Sequence, residues 1–336
     1  MSKSAIVTGF TGQTSPYLAR ILLSKGYKVY GMVRDTSHAS MDFIEEMGLD
    51  QVEIVHGDLS DDASIYKQIS RIRPTEFYNL AGLSSVATSF EQPEHTIDIT
   101  GLGTLRILEA IKQYSSSTRF YQAGSVEEFG GEEGFNPKSP YAAAKILAHN
   151  LVKIYRESYK IHASVGILSN HESERRGSQF VSRKITDYIG RRVNGKVTKP
   201  LILGNLNATR DWAYAEDMAM GSYLMLQQDV PDDYIFCTGK TYSVREFCTH
   251  AFASAGIELH WHGEGMSEEA TDKNGNILVA VNKKFYRPLD PSVSCLSYEK
   301  AERILGWKPS VSFSDMIKRM VSNDIRRYKH EALTSY

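Results

Sequence analysis

Tyr141-Ala-Ala-Ala-Lys145 sets a phenol and an ammonium four residues apart, on one face of a helix. The ammonium favours a phenolate, and a phenolate can take the proton of an alcohol while hydride leaves its carbon. Taken alone the spacing is common, and a surface Tyr/Lys pair is the plainer reading. Ser139-Pro140 just ahead marks a helix start, and Gly124-Ser125 puts a hydroxyl at the end of a β-rich run. Ser125, Tyr141 and Lys145, in that order behind an N-terminal Gly-x-x-Gly turn, form a far more specific constellation. Glu127 lies two residues beyond Ser125. Simple alcohol oxidation needs no carboxylate there. One is useful where a proton must leave carbon and another must reach a departing hydroxyl. Its location marks Glu127 as functional, while Glu128 stays open between that role and a solvated loop acid.

Gly9-Phe10-Thr11-Gly12-Gln13-Thr14-Ser15 follows the first strand and opens the first helix. Gly9 and Gly12 let the backbone, with Thr11 and Gln13, turn tightly against a pyrophosphate seated on the helix N-terminus. A third glycine is expected at 15, where Ser15 stands; it is small enough to preserve helix–strand packing, and Pro16 suits the first helical turn. The second strand ends Met32-Val33-Arg34-Asp35, with Val33 at the position of the acid that binds the ribose in NAD enzymes. Arg34 follows, where a guanidinium pairs with a 2′-phosphate, so the expected cofactor is NADP. Asp35 opposes that phosphate and keeps NAD open. Asp58-Leu59 and Leu80-Ala81 end the third and fourth strands, where adenine and the middle of the cofactor would lie.

These residues need a scaffold, and the pattern around them supplies one. Ser4–Thr8, Lys28–Val33, Val52–Gly57, Glu76–Ala81, Arg119–Gly124 and His162–Leu168 read as buried strands. Helical patterns at Pro16–Lys25, Met41–Met47, Ala63–Arg71, His95–Gln113 and Ser139–Lys160 lie between them. The alternation predicts an α/β fold, a Rossmann-type doubly wound parallel sheet, with a smaller C-terminal α/β substrate lobe. The expected division is a dinucleotide-binding domain over 1–170, with some later segments returning to it, and a lobe over 171–336. In that lobe Phe180–Asn194 and Phe313–Tyr328 read as helices. Pro200–Gly204, Tyr234–Thr238, Glu258–His262 and Ile277–Val281 read as strands, and Glu264–Asn276 as a surface loop.

Composition narrows the partners. A net charge of −1 with interleaved signs argues against nucleic acid. No segment approaches the roughly 18 apolar residues of a membrane helix, and the start runs straight into a strand rather than a signal peptide. Cys237, Cys248 and Cys295 are widely spaced and make neither a disulfide framework nor a zinc pattern, so a cytoplasmic location is expected. His260 and His262 share a strand face without an evident third ligand, and no metal is expected.

Longer segments carry a family resemblance. Phe120–Gly130, Ser139–Lys145, Asn170-His-Glu-Ser-Glu-Arg-Arg-Gly177, Phe180–Thr186, Gly204-Asn205, Arg210-Asp211-Trp212 and Phe285–Pro288 resemble the GDP-mannose 4,6-dehydratases. The resemblance implies Ser125 in place of the active-site threonine, Glu127 as the acid/base, and Tyr141 with Lys145 as the oxidising pair. It implies that Asn170, Lys184, Arg210 and Arg287 hold a GDP-sugar, with Ser84 and Asp290 also at the substrate. It further implies a homo-oligomer, dimer or tetramer, although Asp35 replaces an arginine of the partner loop. Other departures are Gly124 and Val126 for serines, Leu83 for glutamine, Ser85 for histidine and Ser169 for phenylalanine, beside a shortened 131–136 loop. They predict a roomier sugar pocket that takes a bulkier GDP-sugar, such as a heptose, as well as mannose. A C4 oxidoreductase or epimerase that has lost dehydration is the competing reading. A non-catalytic NADP-binding protein has no use for the Ser–Tyr–Lys set.

Overall fold

Continuous apolar runs such as Ala5-Ile6-Val7 can only be strands buried on both faces, which a parallel sheet flanked by helices provides. A computed structural model describes residues 3–36, 42–130, 134–286 and 296–333 of the chain. The chain divides into two compact units. The first comprises Met1–Ser169, Ala215–Gly239 and Leu296–Lys308; the second comprises Asn170–Tyr214, Lys240–Cys295 and Pro309–Tyr336.

The first unit is built on seven strands: β1 Ser4–Thr8, β2 Lys28–Val33, β3 Glu53–His56, β4 Glu76–Asn79, β5 Arg119–Ser125, β6 Ala163–Leu168 and β7 Tyr234–Phe236. Their order is β7-β6-β5-β4-β1-β2-β3, all parallel. This is the doubly wound α/β sheet expected from sequence. The strand order reverses at β1, between β2 and β4, and Gly9 and Ala81 lie at that point. Helices α1 Ser15–Ser24 and Ala215–Leu226 pack together, as do Asp62–Ile72, Gly103–Tyr114 and α2 Pro140–Tyr159. The core on the latter side joins Ile6, Phe77, Phe120 and Val165 of the strands to Ile65, Ile107, Ile111 and Val152 of the helices.

Three local readings are corrected. The single helix expected over 95–113 is Pro93–Thr96, a π-helical stretch Ile97–Leu102, and then Gly103–Tyr114. Close approach is the reason: a Cβ on Gly101 would meet Leu147 Cδ2 at 2.7 Å, and one on Gly103 would meet Leu59 Cβ at 2.9 Å. The segment read as a surface loop contains a strand, Glu269–Thr271, between His260–His262 and Ile277–Val281, with Ala270 turned into the core. Ala215–Leu226, absent from the sequence reading, carries apolar residues on its exposed side too, such as Met220, so it shows no single-face period.

In the second unit, those three strands and Leu201–Leu203 make a four-stranded sheet. Asn170–Glu172 pairs in parallel with Trp212–Tyr214. Its core is aromatic, with Phe313 stacked on Tyr242 at 3.9 Å and on Trp212 at 5.7 Å. Cys237 and Cys248 are buried, one in the first unit and one in the second, and the Cys237 thiol donates to Leu296 O at 3.1 Å; Cys295 lies outside the described residues. No helix among the described residues is long and apolar enough to cross a membrane.

Candidate active site

The turn after β1 demands its glycines. Gly9 has φ +63°, and a Cβ there would lie 3.0 Å from Ala81 Cα across the switch point. The Gly12 amide donates to Gly9 O at 2.8 Å, and a Gly12 Cβ would press on that oxygen at 2.9 Å. Thr11 and Gly12 are exposed at the mouth of the turn, with Gln13 half-buried. Ser15, at the position where a glycine is expected, braces the turn instead, its hydroxyl bonding Thr8 O at 3.2 Å and Gly9 O at 2.9 Å. A bare, glycine-shaped concavity at a helix N-terminus fits a dinucleotide pyrophosphate.

Around it, Arg34 is exposed and faces Asp58 electrostatically. Burial raises the Asp58 carboxyl, but the Ser60 amide and hydroxyl, together with Arg34 and His56, outweigh that and hold it below its ordinary value. Leu59 is buried in the core cluster, and its carbonyl accepts Arg106 Nη1 at 2.7 Å. Leu80 and Ala81 present amides that bond Thr8 Oγ1 at 3.1 and 3.0 Å.

At the end of β5 the chain passes into a short 3-10 turn, Val126–Glu128, capped by Ser125. The Ser125 hydroxyl accepts the Glu127 amide at 3.2 Å. Glu127 is half-buried on the outer side of the turn, whereas Glu128 is fully buried beneath it. The helix α2 then brings Tyr141 and Lys145 to the same strand. Lys145 Nζ donates to Ala123 O at 2.6 Å and lies 5.7 Å from the Tyr141 ring centroid. Burial lowers the Lys145 ammonium to about 8, with Glu128 pulling it the other way. A lysine so placed changes charge close to working pH, as a group that supports proton transfer requires.

A side-chain chain that no sequence motif announces underlies all of this. Thr8 Oγ1 donates to Asn79 Oδ1 at 2.7 Å, and Asn79 Nδ2 donates to Gln122 Oε1 at 2.8 Å. Gln122 Nε2 reaches Ala123 O at 3.0 Å, the same carbonyl that receives Lys145. The phosphate turn and the lysine are thereby tied through three adjacent strands. Alternating polar residues at strand ends were its only signal.

Other expected residues fall elsewhere. Ser84 is exposed, and Ser85 caps the helix Val86–Glu91 through the Thr88 amide at 3.2 Å. Leu83 and Val126 pack against the core cluster, and Ser169 is buried. These departures therefore have local structural partners. In the second unit Asn170 is half-buried on its strand. Lys184 is exposed, with Nζ 5.4 Å over the Phe285 ring, and Arg210 is buried, donating to Thr209 O at 2.7 Å. Arg287 and Asp290 lie outside the described residues.

Comparison with known proteins agrees with this geometry. The family model for GDP-mannose 4,6 dehydratase matches residues 6–320. GDP-mannose 4,6 dehydratase 2 of Caenorhabditis elegans is 42% identical over 96% of this chain and 89% of its own. GDP-mannose 4,6-dehydratase of Yersinia enterocolitica is 40% identical over 98% of this chain and 96% of its own. Among solved structures, the Thermus thermophilus UDP-glucose 4-epimerase complex with NAD superposes with a TM-score of 0.79 at 24% identity, covering 96% of this chain and 98% of that one. The last likeness carries the fold, while the first three run almost end to end in sequence. The chain belongs to the GDP-mannose 4,6 dehydratase family.

Proposed function

We propose that this protein is a GDP-sugar 4,6-dehydratase, a lyase that turns GDP-mannose or a related GDP-sugar into its 4-keto-6-deoxy derivative. The observation that carries the reading is the strand end where Ser125, Glu127 and the Tyr141–Lys145 helix meet. A bound nicotinamide cofactor supplies a hydride acceptor and donor within one turnover. Gly9, Thr11, Gly12, Gln13, Arg34, Asp58, Leu59, Leu80, Ala81, Tyr141 and Lys145 would hold it, and the exposed Arg34 favours NADP. The first unit is then the dinucleotide-binding part, and the second, with Asn170, Lys184 and Arg210, the part that holds the GDP-sugar. A homo-oligomer belongs to the same proposal.

The residues divide the chemistry among them. Tyr141 takes the C4 hydroxyl proton as that carbon becomes a ketone, with Lys145 favouring the phenolate and Ser125 bonding the oxygen. The ketone acidifies C5, and the half-buried Glu127 removes that proton. The same carboxyl then protonates the C6 hydroxyl, which leaves as water, and Tyr141 gives its proton back at C5 as C6 is reduced. GDP-mannose carrying deuterium at C4 tests the scheme by NMR of the product. The label is expected at C6 of a 4-keto-6-deoxy sugar, with no net change in cofactor redox state. A product oxidised or inverted at C4 with its C6 hydroxyl intact would establish the oxidoreductase or epimerase instead. Calorimetric titration with both cofactors settles Arg34: tighter NAD binding rejects NADP.

A further inference from the structure

Two adjacent acids follow Ser125, and the chemistry above uses only Glu127. Glu128 nonetheless occupies the more elaborate place. Its Oε1 accepts the Ser125 amide at 2.8 Å, and its Oε2 meets His149 Nδ1 at 2.7 Å. His149 Nε2 lies 3.6 Å from Asp233 Oδ2. Asp233 in turn receives both terminal nitrogens of Arg156, at 2.8 and 2.7 Å, and the Val165 amide at 2.8 Å. Alternating charges therefore run from the end of β5, across α2, to the loop entering β7. Replacing a buried ion network by apolar side chains is often neutral or stabilising, so stability alone does not account for one here.

Two further observations tie Glu128 to the chemistry. A Cβ at Gly124 would lie 2.9 Å from Glu128 Oε1 and 2.7 Å from Val165 Cγ1, so glycine at 124 makes room for this carboxylate. The Glu128 charge also acts on Lys145, opposing the effect of burial on its ammonium. We propose that Glu128, held by His149 with Asp233 behind it, is a positioning residue for the dehydration: it fixes the turn that presents Ser125 and Glu127. The inference rests on the function proposed above.

The groups facing each member set the pH dependence. Lys145 faces Glu128 from the turn and Tyr141 from its own helix. His149 faces Glu128 from the turn and Asp233 from the loop before β7, with Arg156 on the far side of Asp233 and the Phe135 ring 5.1 Å away. Burial lowers His149, but the neighbouring carboxylates of Asp233 and Glu128 outweigh it and raise the imidazole to about 9. Burial likewise holds Asp233 up, and Arg156, His149 and the Val165 amide overcome it and keep that carboxyl far below its ordinary range. Removing the Glu128 charge lets Lys145 fall further, so the alkaline limb of activity moves to lower pH. It also takes a raising partner from His149.

Glu128→Gln keeps an acceptor for the Ser125 amide and removes only the charge. Its kcat against GDP-mannose should fall about tenfold at unchanged KM, the equivalent of about 1.4 kcal/mol. The alkaline limb should shift down relative to the parent enzyme. His149 followed by NMR without substrate should titrate lower than its parent value of about 9. A limb that does not move, with kcat within about twofold, overturns the proposal and leaves Glu128 a structural acid. Should that variant not fold, His149→Gln is the alternative. It removes the cation beside Glu128, so the limb should move up, and an unmoved limb again overturns the idea. A parent enzyme that dehydrates neither GDP-mannose nor a related GDP-sugar would sink the proposed function, while the His149 titration would still test its contact with Glu128.

Discussion

The two edges of the seven-stranded sheet each hold a buried carboxylate, and they treat it differently. Glu76 opens β4 at the amino edge and is 1% exposed; Glu128 follows β5 at the carboxyl edge and is 0% exposed. Glu76 accepts the hydroxyls of Tyr27 and Tyr78 at 2.8 and 2.7 Å and the Gln227 amide at 3.2 Å. Burial and the Glu76 carboxylate push both tyrosines far above their ordinary value, so these donors keep their protons at any working pH. At the carboxyl edge Lys145 and His149 sit near 8 and 9, where a modest pH change alters charge. Burial of an acid thus says nothing by itself about chemistry. What matters is which edge it occupies, because strand carboxyl ends gather the glycine turn and the helix that carry reactive groups. One edge rings its carboxylate with tyrosines that keep their protons, with the Lys3 ammonium 4.0 Å away, and the other is a set of charges that respond to pH.

Mutation at each edge should separate the two. The largest effect belongs to the carboxyl edge. Lys145→Ala and Tyr141→Phe should each lower kcat by about 10²–10⁴, with an unchanged circular dichroism spectrum. A loss below tenfold would remove the pair from the chemistry. The amino edge should answer only in stability. Glu76→Leu strips acceptors from Tyr27, Tyr78 and Gln227 and should cost about 2–3 kcal/mol in denaturant unfolding while kcat stays at its parent value. A fall in kcat beyond tenfold in a folded variant would erase the contrast.

The smallest effect probes why Gly124 stands where it does. Gly124→Ser should cost about 1–2 kcal/mol by crowding Glu128 and Val165. In a Glu128→Ala background the cost should shrink by about 0.5–1 kcal/mol, measured as a double-mutant cycle. Strictly additive costs would show that the glycine is not there for the carboxylate.

The difference between the edges was only half visible in the primary structure. Glu127 and Glu128 are neighbours of identical type, and nothing local separates them. The 3-10 turn does, sending one outward and the other down onto His149, 21 residues away, with Asp233 beyond. Ser85 shows another role that local pattern hides. Expected near the sugar from the resemblance, it also caps the helix Val86–Glu91, a role that depends on where that helix begins.

What the sequence determined alone was whatever rests on short-range rules. β1 and β2 have the bounds their apolar runs predict, and the helix carrying Tyr141 and Lys145 begins at its Ser-Pro signal. The glycine turn follows from backbone sterics, which need no distant partner. Tertiary structure alone decided the rest. It set Ser15 against the Thr8 and Gly9 carbonyls, interrupted the helix after Thr96 at its crowded glycines, and strung Thr8, Asn79 and Gln122 into one chain although 71 and 43 positions separate the partners. Such contacts form only when the parallel strands lie side by side, because a buried polar group takes its partner from whatever the fold brings near it.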